Sequence, residues 1–302
     1  MLQDVRCRRS AKGARIAFVG LSRLARPLAR AIVAACALAA PLAVAIAADA
    51  TSVGAYRLAK VDGEKIRVDG RLDDDAWKHA QVFDAFSENL PNAQPTSRHR
   101  TELRMLVAGH DLYVGMKSWD ENPSEIRAPL VRRDGVLGDQ DFAALYLDSV
   151  GTRTFAQFFR INARGILADG TWNDQIGNED FSPDFEYEGA AIQFADESGR
   201  GWSAEMRIPL TSLRMPDPPP REWTFVFFNS WTRDTRYRVA NVPLPRDWSC
   251  MLCIAQSIAL PADMPRATGW SLTPQATAGE RTVNGARTLR ATEGERLHPS
   301  KR

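Results

Sequence analysis

Four acidic side chains are the first candidates for catalytic chemistry: Asp139, Asp141, Glu186 and Glu188. Hydrolysis of an O-glycosyl bond needs two carboxyl groups at a set separation and in different environments. Sequence spacing alone does not establish such a pair, and the chain has no Gly-x-Ser-x-Gly, His-Glu-x-x-His, P-loop or Gly-x-Gly-x-x-Gly motif. The sequence therefore favours a non-catalytic protein, with a glycoside hydrolase as the enzymatic alternative.

Two groups of aspartates offer hard oxygen ligands for calcium, Asp73 to Asp75 and the pair Asp139 and Asp141. Their spacing matches no EF-hand loop, and an exposed helix start or turn explains the same acids without a metal. A structural calcium ion at Asp139 and Asp141 is therefore kept as an alternative, and the sequence requires no cofactor.

The pair Cys250 and Cys253, spaced Cys-x-x-Cys, has the residue types for zinc binding or for a disulfide. Zinc needs two further ligands, and the spacing of the four histidines does not supply them. A redox motif is expected at the start of a helix after a strand, whereas this pair follows a proline-rich loop. The sequence predicts a local disulfide or two ordinary thiols.

The N-terminal segment 1–48 has the pattern of a secretory signal peptide. A basic stretch is followed by the uncharged, alanine-rich residues 31–48, with a small-residue cleavage site at Ala45-Ile46-Ala47. A membrane anchor is the alternative, but the stretch is weakly apolar and Pro41 interrupts it. We expect export to the periplasm, the outer-membrane surface or the medium.

The formal net charge of +2 is the sum of three unlike segments. Residues 1–48 carry +7, residues 266–302 carry +4, and residues 49–265 carry −9. A mildly acidic body gives no electrostatic footprint for nucleic acid. The sequence therefore excludes nucleic acid as the expected partner.

The elements that must position these side chains are mainly strands. Alternating or apolar runs separated by Gly, Pro, Asn and Asp occur at 66–68, 101–107, 112–119, 141–148, 155–162, 166–169, 190–196, 202–209 and 223–231. Helical signals are short, at 73–80, where Asp73 is the expected N-cap, and at 211–214. The pattern predicts an all-β, jelly-roll-like antiparallel sandwich of about ten strands over 49–265.

The C-terminal segment 266–302 has a different pattern. Residues 270–278 alternate like one more strand, and residues 279–302 are polar and basic. A single strand does not bury its apolar face. We therefore expect a basic stub that begins a truncated element.

Residues 66–77, IRVDGRLDDDAW, match an Ile-x-x-Asp-Gly-x-x-Asp-x-x-x-Trp signature, in which Trp77 is expected to be buried. This segment resembles the opening of carbohydrate-binding module family 9. Further segments resemble the family in the same order along the chain, at 112–120, 141–148, 157–162, 201–209 and 223–228. The segments at 132–134 and 208–214 resemble an exported bacterial branch in which a large C-terminal β-barrel follows the module.

The resemblance implies a site for polysaccharide or oligosaccharide, with Trp248, Arg160 and Asn229 at positions that match the family's tryptophan, arginine and amide. Three other matching positions depart from the pattern. Gly138 stands where the family's first tryptophan is expected, Ala144 where a carboxylate is expected, and Pro245 near the position of an asparagine. Replacement aromatic platforms are available in this chain, and they are Trp172 and Trp231.

The function expected from this resemblance is non-catalytic carbohydrate binding linked to carbohydrate catabolism. One alternative is a periplasmic cap domain of an outer-membrane β-barrel protein, which implies association with the outer membrane. The other alternative is a module attached to O-glycosyl hydrolase activity. The sequence leaves the oligomeric state and the identity of the glycan open.

Overall fold

The computed structural model describes residues 56–63, 66–245, 247–265, 270–283 and 286–299. The predicted signal peptide at 1–48 lies outside the described residues. Among the residues that are described, no helix has the length and apolar character needed to cross a membrane.

Fourteen strands form two sheets within residues 56–265 of the described chain. Their bounds are β1 (Ala59–Val61), β2 (Gln81–Phe83), β3 (Ser87–Leu90), β4 (Thr101–Ala108), β5 (Asp111–Trp119), β6 (Phe142–Asp148), β7 (Phe155–Asn162), β8 (Leu167–Asn173), β9 (Asn178–Asp180), β10 (Glu188–Asp196), β11 (Gly199–Pro209), β12 (Glu222–Thr232), β13 (Arg236–Ala240) and β14 (Gln256–Ala259).

The strands divide into a six-stranded and an eight-stranded sheet. The first has the order β1-β4-β5-β11-β10, with β2 also paired to β4. The second has the order β3-β13-β12-β6-β7-β8-β9, with β14 also paired to β12. The β1–β4 pair is parallel, and the other pairs are antiparallel. The predicted all-β sandwich is confirmed.

The main core lies between the sheets and follows from alternation along the strands. Successive side chains of a strand point to opposite faces of its sheet. One set of alternate positions therefore fills the common core, as in Leu103, Met105 and Val107 of β4 or Phe225 and Phe227 of β12. Each sheet then has a second, outer face, which is covered separately.

The signature segment covers the outer face of the six-stranded sheet. Trp77 is 1% exposed, as predicted, and packs against Leu106 and Tyr113. Gly115 makes room for the indole, since a Cβ at that glycine would lie 2.9 Å from Trp77 Cη2. The Trp77 Nε1–H donates to Glu205 Oε1 at 2.8 Å.

Two local predictions in this segment are wrong. Residues 66–68 form no strand, because Arg67 N donates to Asp74 Oδ2 and holds the segment as a loop over the sheet. The predicted helix at 73–80 is a 3-10 helix over Asp75–His79 whose N-cap is Asp74 rather than Asp73. Three further 3-10 helices span Pro123–Glu125, Leu210–Ser212 and Leu252–Ile254, and the described residues contain no α-helix.

The C-terminal segment is also corrected by the structure. Strand β15 (Trp270–Val283) pairs antiparallel with β16 (Ala286–Pro299) along its whole length, from Trp270 opposite Pro299 to Val283 opposite Ala286. The expected lone strand is therefore half of a two-stranded hairpin. The basic, polar composition of 286–299 does not prevent pairing, because the ladder bonds are made by the backbone.

Candidate functional site

The candidate site lies on the outer face of the eight-stranded sheet. Even-numbered positions point to this face on β6, β7 and β12, and they include Tyr146, Phe158 and Phe228. Residues from two connecting segments pack over these rings, among them Val136 and Leu252. We call this surface the outer sheet face.

Two of the predicted aromatic residues lie next to each other on the outer sheet face. The ring centroids of Trp172 and Trp248 are 6.2 Å apart, with the rings tilted by 41°. Trp172 is 9% exposed and packs edge-on against Tyr146, whereas Trp248 is partly exposed. Trp248 therefore offers the accessible aromatic surface of this pair.

Asp174 holds the segment that carries Trp248. Its Oδ1 accepts hydrogen bonds from Trp172 Nε1 at 2.9 Å and from the Met251 backbone N–H at 3.0 Å. Its Oδ2 accepts from the Leu252 backbone N–H at 2.8 Å. Cys250 and Cys253 form a disulfide in the same segment. Of the two predicted alternatives, a local disulfide or two ordinary thiols, the structure has the disulfide.

Arg160 occupies the centre of the outer sheet face and is 4% exposed. Its guanidinium donates to Val136 O at 2.8 Å, to Tyr146 Oη at 2.9 Å and to Glu179 Oε1 at 2.6 Å. Tyr146 donates its hydroxyl proton to Glu179, and burial raises the pKa of Tyr146 to about 12. Arg160, Tyr146 and Glu179 therefore form one buried, charged network.

Two further arginines, Arg236 and Arg238, project from alternate positions of β13. The Arg238 guanidinium lies 4.5 Å from the centroid of the Phe228 ring and donates from Nε to Asn89 Oδ1 at 3.3 Å. The side chain of Arg236 makes no hydrogen bond and no ion pair with the described residues. Burial, together with the positive charge of Arg236, lowers the pKa of Arg238 to about 10.

Gly138 determines where the Arg236 guanidinium lies. A Cβ on Gly138 would be 2.5 Å from Arg236 Nη1 and 2.9 Å from Arg236 Cζ. The space that a side chain at position 138 would take is thus filled by a guanidinium. A positive charge therefore lies beside position 138, where the resemblance had predicted a tryptophan.

Two predicted site residues, Asn229 and Trp231, point away from this face. Their odd-numbered positions on β12 share the inner orientation of Phe225 and Phe227, and both are at most 1% exposed. Asn229 Nδ2 donates to Thr101 Oγ1 at 3.0 Å, and Trp231 stacks on His99 with ring centroids 4.3 Å apart. The structure therefore brings Trp248, Trp172 and Arg160 together and separates them from the other two residues.

The acids proposed for calcium do not converge. Asp141 is fully buried, and its two oxygens accept from the Thr232 backbone N–H at 2.6 Å and from Arg233 Nη1 at 2.7 Å. Asp139 is exposed. A guanidinium therefore takes the place that a cation would need at Asp141, and these two residues do not fit a calcium site.

The acids considered for hydrolysis are also held apart. Asp141 pairs with Arg233 beside β6, whereas Glu188 on β10 of the other sheet pairs with Arg207 at 2.7 Å. Glu186 and Asp139 are exposed. Of these four acids, Asp141 and Glu188 form ion pairs with two different arginines. The four therefore do not present the pair of facing carboxyl groups that hydrolysis needs.

A separate cleft of about 910 Å³ lies elsewhere on the molecule. Its charged groups are largely paired with one another, because Arg233 binds Asp120 and Asp141. Arg100 covers one face of the Trp119 ring at 3.7 Å from the centroid. The cleft therefore has volume, but its tryptophan ring and its Arg233 already have protein partners.

Sequence reasoning missed four contributors to the outer sheet face: Tyr146, Glu179, Arg236 and Arg238. The Arg-x-Arg spacing of Arg236 and Arg238 was a usable signal, since alternate residues of a strand share a face. Glu179 lies on a three-residue strand that gives no sequence pattern.

No protein-family model matches the chain, and the search of curated proteins finds no match. One similar solved structure is a carbohydrate-binding module family 9 from Caldicellulosiruptor kristjanssonii in complex with cellotriose, at 14% identity and a TM-score of 0.45, covering 68% of this chain and 96% of that one. Another is a family 9 module of the same organism in complex with glucose, at 12% identity and a TM-score of 0.44, with 67% and 95% covered.

A third similar structure is a candidate carbohydrate-binding protein from Bacteroides uniformis, at 12% identity and a TM-score of 0.47, with 67% of this chain and 99% of that one covered. Structures of the family that the motif series resembles are thus among the similar structures. At these identities and TM-scores we transfer no residue roles, and the function is argued from this chain's own side chains.

Proposed function

We propose that the chain is a non-catalytic carbohydrate-binding protein whose ligand lies on the outer sheet face. The observation that carries the proposal is the placement of Trp248 and Trp172 beside the buried network of Arg160, Tyr146 and Glu179 on one face. Sugar recognition combines aromatic rings, which contact the C–H face of a pyranose, with charged and polar groups that bind its hydroxyls.

The division of roles follows from exposure. Trp248 is partly exposed and is available for ring contact, while the side chain of Glu179 is 28% exposed and offers a carboxylate oxygen to a hydroxyl. Both terminal nitrogens of Arg160 donate to protein groups, and one of these hydrogen bonds orients Glu179. Arg160 is therefore a positioning residue, and Trp248 and Glu179 are the contacts.

We also propose that the protein acts outside the cytoplasm, in the periplasm, at the outer-membrane surface or in the medium, as part of carbohydrate catabolism. The support is the disulfide between Cys250 and Cys253, since disulfides persist in oxidising compartments. The signal pattern over 1–48 predicts the same destination. Cell fractionation with an antibody to the chain tests this part of the proposal.

The binding proposal is tested by titration calorimetry of the full chain with cellotriose, glucose and xylo- and malto-oligosaccharides. Trp248→Ala is expected to weaken binding about tenfold, the effect of losing one aromatic contact. Trp119→Ala is the matched control, because Trp119 is also a partly exposed tryptophan but lines the separate cleft.

A loss of binding in Trp119→Ala with no loss in Trp248→Ala would move the site to the cleft. The absence of heat for every sugar at millimolar concentration, with no change in tryptophan fluorescence, would refute carbohydrate binding itself.

A further inference from the structure

The outer sheet face has more positive than negative charge among its buried and half-buried groups. Arg160, Arg236 and Arg238 converge there, and Glu179 is the carboxylate that forms an ion pair with one of them, Arg160. Arg236 and Arg238 form no ion pair with any described residue. Charged groups removed from water are expected to be paired, because desolvation is costly.

Two buried donor atoms on this face are also without partners. Nε of Arg160 and Nε of Arg236 lie inside the structure and make no hydrogen bond to the described residues. Most buried donors in folded proteins are hydrogen-bonded, so each exception calls for an explanation. Burial and the charge of Arg160 lower the pKa of Arg236, and the negative charges of Glu179 and Asp139 offset this lowering only in part.

Gly138 supports the same interpretation from a different direction. The glycine leaves room for the Arg236 guanidinium, with Nη1 only 2.5 Å from the position of an added Cβ. A larger residue at 138 would force this guanidinium to move. The Arg236 guanidinium can therefore lie here only because position 138 has no side chain.

We propose that the sugar bound on the outer sheet face carries a carboxylate, that is, an acidic sugar of the uronic acid class, whose carboxylate is bound by Arg236 and Arg238. This inference rests on the proposed carbohydrate-binding function and specifies its ligand. Guanidinium groups bind a carboxylate through two parallel N–H···O bonds, which fixes the orientation of a ring-bound acid. A pyranose ring of the same glycan then contacts Trp248.

The charge of the remaining molecule favours a single acidic residue over a polyanion. Residues 49–265 carry a formal charge of −9, so a nucleic acid or a densely charged chain is repelled outside the arginines. Neutral sugars would leave Arg236 and Arg238 without a counter-charge. A glycan with an isolated uronic acid satisfies both conditions.

The test is calorimetry of the full chain with glucuronic and galacturonic acid oligosaccharides and with their neutral methyl esters. The wild type is expected to bind the acid about tenfold more tightly than the ester, as one charge-assisted contact at a partly exposed site would give. Arg236→Gln is expected to abolish this preference. The control is Arg67→Gln, which changes the net charge equally at a side chain that is 80% exposed and belongs to the signature segment.

Four outcomes decide the inference. A preference for the acid that is lost in Arg236→Gln and kept in Arg67→Gln supports it. Equal affinity for acid and ester overturns it while leaving carbohydrate binding intact. If sulfate or acetate competes with the uronic acid oligosaccharide as strongly as free uronate does, the outer sheet face is a simple anion site. That result overturns the inference that the ligand is a sugar acid. The absence of binding for acid, ester, cellotriose and glucose alike refutes the proposed function and this inference with it.

Discussion

The two outer faces of the sandwich both enclose charged side chains, but they differ in whether every one of these charges has a partner within the protein. On the six-stranded sheet, Glu205 is fully buried and accepts from Asp69 N and Gly70 N at 2.8 Å, Leu72 N at 3.0 Å and Trp77 Nε1 at 2.8 Å. On the eight-stranded sheet, the side chain of Arg236 has no hydrogen bond or ion pair to a described residue. A buried charge whose partners are all internal stabilises the fold, whereas a half-buried charge without partners is available to a ligand.

The contrast gives the signature segment a physical explanation. Its Asp69-Gly70 turn directs two backbone N–H groups at Glu205, Leu72 N adds a third donor, and Trp77 Nε1 adds a fourth from the following 3-10 helix. The motif that resembles a sugar-binding family therefore attaches this segment to the six-stranded sheet of the chain itself. It lies on the face opposite to the proposed site.

The largest effect is expected from removing Glu205, the acceptor on the outer face of the six-stranded sheet. Glu205→Ala leaves four buried N–H donors without an acceptor and should lower the free energy of unfolding by at least about 3 kcal/mol. Urea denaturation of the full chain measures it. Glu188→Ala is the control, since the side chain of Glu188 is 51% exposed in its pair with Arg207 and its loss should cost under about 1 kcal/mol. Similar losses in the two variants would contradict the comparison.

The sequence predicts these two faces unequally. Alternation along β4, β6, β11 and β12 is enough for the all-β class, because each of these strands turns one face to the common core. The partner of Trp77 is not predictable, since Glu205 lies 128 residues away in the chain. Contacts at that separation follow from the pairing of strands, which the local pattern does not contain.

The candidate site shows the same limit. Family resemblance selects Asn229 as an amide position, but its odd-numbered place on β12 points it into the core with Phe227. Residue type was therefore predictable, whereas orientation required the register of β12 with β6. Strand β13, RYRVA, was missed because charged residues occupy the alternate positions where apolar ones are expected.

A second, intermediate effect is expected at Asp174, which positions Trp248 through the backbone of the disulfide-containing segment. Asp174→Ala removes the acceptor for Trp172 Nε1 and for the Met251 and Leu252 backbone N–H groups. We expect a loss of about 2 kcal/mol in stability and weaker sugar binding. Thermal unfolding and calorimetry measure the two effects, and an unchanged affinity would show that Trp248 needs no such support.

A smaller effect, on the specificity of binding, is expected when a side chain at position 138 fills the space that the Arg236 guanidinium occupies. Gly138→Trp displaces the Arg236 guanidinium and adds an aromatic ring, so it should cost about tenfold in affinity for a uronic acid oligosaccharide and improve binding of its methyl ester. Ile176→Trp is the control, because the Ile176 side chain is 71% exposed and a tryptophan there does not displace Arg236. Equal losses for acid and ester would show general damage to the face and would contradict the assigned role of Arg236.

The smallest effect is expected from removing a charge that lacks partners. Arg236→Met takes away a guanidinium with no hydrogen bond and keeps an unbranched side chain on the same face, so the free energy of unfolding should change by less than about 0.5 kcal/mol or rise. Added salt should stabilise the wild type more than this variant, because salt screens the repulsion of Arg236 by Arg160 and Arg238. Urea denaturation at two salt concentrations measures both effects. A loss as large as that of Glu205→Ala would mean that Arg236 has an internal partner, and the two outer faces would then be alike.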